Sequence, residues 1–302
     1  MKLSKGEKTF GVFNTILLSL LALSTLYPFI YMAALALNEG LDSVKGGIYL
    51  WPREFTWINI QTVVTNPLVQ DAFLITLART IMGTLGTVFI TGICAYALSF
   101  RTLPFRKSLM VYFLIPMLFS GGLIPYYIQL RELGLIDSFW VYIIPGLLNI
   151  WNLIVMRSFF ENIPESLIEA AEIDGANPLT IFWKIVIPMS MPMLAAISLF
   201  TAVAHWNSWF DGAYYVNEMN LKPMQTYLQN ILMNADAAQN LRQGSATASA
   251  SSNAAVAAAS RTITPMALKM AVVILGTLPI LIIYPLLQRF FVKGVMVGGV
   301  KE

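Results

Sequence analysis

The stretch Asn162-Ile163-Pro164-Glu165-Ser166-Leu167-Ile168-Glu169-Ala170-Ala171-Glu172-Ile173-Asp174-Gly175-Ala176-Asn177-Pro178 separates two apolar runs, Phe139 to Phe160 and Ile185 to Phe210, each long enough to cross a bilayer. Asn162 is placed to cap a helix, with Pro164 in the first turn, Glu165 three residues after the cap and Gly175 at the end. Asn177-Pro178 restarts a second helix, which runs through Phe182-Trp183-Lys184 toward Pro188. The expectation is a helix-turn-helix lying on the inner face of a membrane, over about residues 162–184. At about 100° per residue, Glu165, Glu169 and Glu172 fall on one stripe, and Leu167, Ile168 and Ala171 on an adjacent apolar one. Such a helix suits a partner's groove, with Ala170 and Ala171 allowing close approach and Gly175 tolerating a positive φ at the turn. Amphipathicity alone is equally met by an acidic face solvated beside headgroups.

Working outward, the 302 residues are 57% hydrophobic and only 12% charged, about half the roughly 25% that a soluble surface requires. Lipid is therefore the solvent. A single cysteine, Cys94, excludes a disulfide framework or a multi-cysteine metal site, and a single histidine, His205, argues against a His-rich one. The formal charge of +3 is dispersed with no Lys/Arg-rich run, which excludes nucleic acid as a partner.

Besides the two runs already named, Phe10 to Leu37, Ala72 to Phe100, Ser108 to Leu130 and Met266 to Val292 reach spanning length. None alternates with a period of two, so helices rather than barrel strands are expected: an all-α, polytopic membrane protein with six transmembrane helices in one domain, residues 1–302. The first run follows Lys2, Lys5 and Lys8 and ends near Ala34-Leu35-Ala36, as a signal peptide does, but its length reads as a retained span. An inside N-terminus gathers Arg101, Arg106, Lys107, Arg157, Lys184, Arg289, Lys293 and Lys301 on short cytoplasmic segments, so both termini are expected in the cytoplasm. Arg79, within a span, should face protein or water rather than lipid. Two external segments remain, 38–71 and 211–265. The first carries Trp51-Pro52-Arg53 and Trp57, suited to an interface or a docking partner. Within the second, Gln243 to Ser260 is almost entirely Ala, Ser, Thr and Gly and reads as a mobile loop.

The polar stretch resembles the hallmark of the membrane-spanning permease subunits of ATP-binding-cassette importers: Glu-Ala-Ala, three residues, Gly, nine residues, then Ile-x-Leu-Pro. Here these are Glu169-Ala170-Ala171, Gly175 and Ile185-Val186-Ile187-Pro188, with Ile187 in the place of Leu. The fuller wording Glu169 to Ala176 is similar to the carbohydrate branch, as are the ending Phe291 to Lys301 and the pair Trp206-Asn207; the maltose-type second permease and its oligosaccharide-importing relatives are nearest in wording. The Gln243 to Ser260 segment matches no element of that family. The resemblance implies the type I importer permease fold, with Glu165, Glu169, Ala170, Ala171, Glu172, Asp174 and Gly175 coupling to an ATPase. It implies a second permease subunit, two cytoplasmic ATPase subunits and an extracellular solute-binding protein in a bacterial cell membrane. ATP and magnesium would be bound by the ATPase and no cofactor by this chain, which has no G-x-x-x-x-G-K-[ST] phosphate loop and is not itself an enzyme.

For an oligosaccharide substrate, Trp206, Asn207 and Trp209 are the candidates, since indole faces stack on pyranose rings and an amide bonds hydroxyls. An interfacial aromatic belt would look the same. Met117 to Tyr127 reads as packing, and His205 as a bundle residue bonded to a neighbour. A self-contained secondary transporter or channel is the alternative, but the spans hold almost no Asp or Glu for ion coupling and no inverted repeat. A membrane enzyme would need paired carboxylates, a nucleophile elbow or a His cluster, and the spans contain none of these.

Overall fold

A computed structural model describes residues 4–233 and 263–295, and its regular structure is helical, with no β-strand among the described residues. In chain order the helices are α1 (Lys5–Ala36), α2 (Gly40–Val44), α3 (Ile58–Val64), α4 (Pro67–Ser99), α5 (Arg106–Leu118), α6 (Leu123–Glu132), α7 (Ile150–Phe160), α8 (Glu165–Ile173), α9 (Pro178–Ile181), α10 (Ile187–Met189), α11 (Met191–Asn207), α12 (Phe210–Tyr214), α13 (Met224–Met233) and α14 (Pro265–Val295). The first, second and sixth apolar runs are each one long helix, α1, α4 and α14. The Gln243 to Ser260 stretch, expected to be a loop, lies outside the described residues, as does the tail beyond Val295.

The other three runs are broken rather than straight, and the residues explain each break. The third divides into α5 and α6, which diverge by 114°. Pro116 weakens the end of α5, Phe119 is extended and Gly122 takes φ +87°. The fourth run opens as 3-10 turns, Phe139–Tyr142 and Ile144–Gly146, and becomes α-helical only at Ile150, where the Asn149 side chain accepts the Asn152 amide at 2.9 Å. The fifth begins as a π-turn, Phe182–Val186, kinks at Ser190 between Pro188 and Pro192, and ends at Asn207 because Ser208 is extended. Taking each bent pair as one crossing gives up to six candidate spans among the described residues.

Two compact units result, residues 1–70 with 228–279 and residues 71–227 with 280–302. In the first, a capping box between Ser4 and Glu7 starts α1, whose apolar side chains are exposed along most of its length. The connection after α1 is held by buried amides. Asn59 donates to the Ala36 and Asn38 carbonyls at 3.0 and 2.7 Å, and Asn38 accepts the Glu54 amide at 2.8 Å. Buried Asp42 lies between Lys45 and Arg53, at 3.4 and 3.3 Å.

In the second unit one core joins α4, α7, α9 and α11 through residues such as Tyr96, Leu153, Met156, Phe182 and Leu194. Thr76, Thr80, Thr84, Thr87 and Thr91 recur at helical spacing along α4. Thr87 and Thr91 donate to the Gly146 and Leu147 carbonyls at 2.9 and 3.1 Å, so small hydroxyl side chains knit the helix to the 3-10 turns. Gly83 and Gly86 belong to the same packing: a Cβ at Gly83 would sit 2.6 Å from the His205 ring, and one at Gly86 would sit 2.7 Å from Leu147.

Candidate functional site

The predicted helix-turn-helix is present, with one change at its start. Helix α8 begins at Glu165 after Pro164, and Asn162 does not cap it; the Asn162 amide instead donates to the Ser158 carbonyl at 2.8 Å, closing the end of α7. Pro164, extended and lacking an amide hydrogen, sets the new direction. At the other end Gly175 takes φ +81°, and the Ala176 amide reaches back to the Ala171 carbonyl at 2.9 Å, a left-handed termination suited to glycine. Asn177 then caps α9, accepting the Thr180 amide at 2.8 Å, with Pro178 in the first turn as expected.

The acidic stripe is assembled as read. Glu165, Glu169 and Glu172 are exposed and together line a cavity of about 300 Å³, which also touches Arg101 and Tyr96. The apolar stripe is narrower than read. Ile168 and Ala171 pack on the core, but Leu167 turns outward, and Ile173 is 86% exposed. Ala170 and Asp174 are exposed as well, so α8 offers a free mixed face of small, acidic and apolar residues. Nearby, Arg106 and Arg157 both pair with Glu161, and Arg106 also donates to the Leu98 carbonyl at 2.9 Å, tying the ends of α4, α5 and α7 together.

The other three candidates part company. Trp206 is 4% exposed and packs edge-on against Phe73 with centroids 6.0 Å apart, which leaves no ring face for a ligand. Asn207 and Trp209 are exposed, and because the helix stops at Asn207 the two tryptophans do not share a helical face. Helix α11 does not continue to Trp209: Ser208 is extended, and its hydroxyl donates to Asp211 at 3.1 Å.

Between α4 and α12 lies a cluster that the sequence announced only by its arginine. The Arg79 side chain, 3% exposed, pairs with Asp211, donates to the Ser208 carbonyl at 3.1 Å and lies over the Tyr142 ring at 4.7 Å. Arg79 therefore faces protein, as its cost in lipid demands. Its partner could not be chosen from the sequence, because 132 positions separate the two.

A family model described as binding-protein-dependent transport system inner membrane component matches residues 55–297. The chain is 35% identical over 284 residues to the polygalacturonan/rhamnogalacturonan transport system permease protein YtcP of Bacillus subtilis (strain 168), covering 94% of this chain and 95% of that one. It is 33% identical over 308 residues to protein LplC of the same organism, covering 99% and 97%. Among solved structures, a crystal structure of a bacterial ABC transporter involved in the import of the acidic polysaccharide alginate matches with a TM-score of 0.82 and 29% identity, over 96% of this chain and 99% of that one.

Proposed function

The chain belongs to the inner-membrane components of binding-protein-dependent transport systems, and on that premise we propose that it carries an oligosaccharide inward as one of two permease subunits. A permease subunit is not itself an enzyme, so the energy comes from outside the chain. An extracellular solute-binding protein delivers the sugar, and two ATPase subunits holding ATP and magnesium drive alternating access from the cytoplasm. The names of YtcP and of the alginate importer, both concerned with polysaccharides, support a glycan as cargo. Self-contained secondary transport is the weaker reading, because a binding-protein-dependent system is a multisubunit one.

The observation that carries the coupling role is the exposed face of α8, with Glu165, Glu169, Ala170, Glu172 and Asp174 free of the chain's own core and Gly175 fixing the turn behind them. In an ATPase groove Glu169 would meet a basic residue, and truncating one side of a desolvated charge pair costs about 2 to 5 kcal/mol. At the outer end, Asn207 and Trp209 remain available to the path, whereas Trp206 is structural. Both termini lie in the cytoplasm in this reading, in keeping with the Lys and Arg bias.

The test is co-purification and ATP-driven uptake with Glu169→Lys and Gly175→Val. Both variants should insert in the membrane, lose ATPase subunits and lose uptake. Unchanged subunit recovery and unchanged uptake in both would overturn the coupling role. A cysteine at position 297 should resist an impermeant reagent applied to intact cells, and ready labelling would reverse the orientation.

A further inference from the structure

The break in the third run has a consequence in a membrane. Phe119 is extended and Gly122 takes φ +87°, so the backbone from Phe119 to Gly122 is not helical, and these residues are exposed in this chain. Irregular backbone at membrane depth cannot face hydrocarbon; it is covered by protein or lines a water-filled space. A cleft of about 480 Å³ opens at this break, within the range of small-molecule sites. Ser120, Gly121 and Gly122 form one wall, and Tyr126, Phe210 and Tyr215 form an aromatic wall.

The aromatic wall is held in place from behind. Tyr215 is 4% exposed and backs both Tyr126 and Phe210, with centroid distances of 5.9 and 6.0 Å. Its own carbonyl accepts the Asp137 amide at 3.0 Å, and the Asp137 carboxylate receives the Asn217 side chain at 2.9 Å. Phe210 precedes Asp211, which Arg79 fixes. Tyr126 and Phe210 keep 45% and 38% of their surface exposed, Phe210 with Tyr214 at 4.5 Å on one side, so the base presents two partly exposed aromatic rings. Among the described residues, none of the side chains lining the cleft is charged, and the charge of Arg79 is already met by Asp211.

We propose that this cleft is a sugar-ring subsite on the transport path, reading one pyranose by its CH face against Tyr126 and Phe210 and by its hydroxyls against the Ser120–Gly122 wall. The proposal rests on the oligosaccharide reading above. Lacking a cation, the subsite takes a neutral ring and a uronate ring alike, and selection for carboxylate happens elsewhere in the system. It also moves the Met117 to Tyr127 segment from packing to path at its outer half.

The experiment uses the whole importer, both permeases with their ATPase subunits, in nanodiscs. Binding of trigalacturonate and of its fully methyl-esterified form is measured by calorimetry. Tyr126→Ala and Phe210→Ala should each weaken both probes by the same factor, about 5- to 50-fold, whereas Tyr126→Phe should stay within about threefold of the wild type. Gly121→Leu works in the opposite direction, by filling the cleft. A Cβ at Gly121 meets nothing closer than Pro125 at 3.8 Å, so the importer should assemble and yet lose at least about tenfold in binding. Wild-type binding of both probes, with no effect of Ala or Leu, would overturn the subsite alone and identify this face as packing for the second permease. A loss confined to the acidic probe would overturn its charge indifference. Binding of neither probe by the wild type would overturn the oligosaccharide reading along with the subsite.

Discussion

Replacing Asp211 by Asn should destabilise the protein by about 2 to 3 kcal/mol. The Arg79 side chain is 3% exposed and cannot shed its charge, so removing the carboxylate strands a cation. Stranding one member of a buried pair costs about 3 to 5 kcal/mol. Two features reduce that figure here: Asp211 itself is 30% exposed, and Arg79 keeps the Ser208 carbonyl at 3.1 Å and the Tyr142 ring at 4.7 Å. The Arg79→Met variant fills a similar volume without a charge, so the double variant with Asp211→Asn should recover at least half of the loss. Unfolding free energies from SDS titration in mixed micelles, taken on the wild type, both single variants and the double variant, close the cycle. An Asp211→Asn variant within about 0.5 kcal/mol of the wild type would refute the reasoning, as would strict additivity of the two substitutions.

At Gly83, alanine would drive its Cβ to within 2.6 Å of the His205 ring; the expected loss is about 1 to 3 kcal/mol in the same titration, and His205→Ala on top should restore most of it. Gly175, at φ +81° with open space around it, should cost about 1 to 2 kcal/mol of local stability as alanine through backbone strain alone, and less as asparagine; faster amide exchange in α8 of the alanine variant would report it, and equal exchange in both would contradict it. Burial raises the Asp42 carboxyl, but the Asn38 amide and the charges of Arg53 and Lys45 outweigh it and hold the group below the ordinary aspartate value of 3.8. A depressed carboxylate stabilises the fold above its unfolded value, and that contribution is lost as pH falls through the lower folded value. Proteolytic resistance of the 38–54 connection should therefore drop in acid in the wild type, and Asp42→Asn should flatten the profile; identical profiles would refute the assignment.

Composition and run length were enough to give a helical membrane protein, because hydrophobic spans of about 20 residues state their environment directly. The helix-turn-helix was legible for a different reason: Gly175, Asn177 and Pro178 act within one or two turns of themselves, and local chemistry survives packing. Asn162 was misread because an asparagine at a junction can close the helix before it as well as open the one after, and here the Ser158 carbonyl won. Helix breaks inside the apolar runs were harder. Hydropathy is blind to them, although Pro116, Gly121-Gly122, Pro145 and Pro188 were visible as punctuation. The fate of Trp206, buried on Phe73, and the choice of Asp211 for Arg79 depend on which helices meet, which a single sequence does not state.

The second unit contains a short packed route by which a displacement at α8 would reach the cleft beside Phe210. Ile168, Ala171 and Ala176 seat the helix-turn-helix on the core, and the Tyr96 hydroxyl donates to the Pro178 carbonyl at 3.2 Å. The Tyr96 and Phe182 rings are 5.0 Å apart, and Phe182 is 2% exposed. Close-packed contacts of this kind do not compress, so a shift of α8 and α9 carries Tyr96 with it. Tyr96 belongs to α4, which runs with no proline after its first residue and is therefore the stiff member of the unit, whereas the fifth run is bent by 82° at Ser190. Seventeen residues before Tyr96, roughly 25 Å along the same helix, stands Arg79. Its partner Asp211 adjoins Phe210 on the wall of the cleft. On the proposed reading, a tilt of α4 imposed at its Tyr96 end would thus arrive at the aromatic wall through one ion pair, and the kink at Ser190 would let that wall move while the core around Tyr96 stays packed.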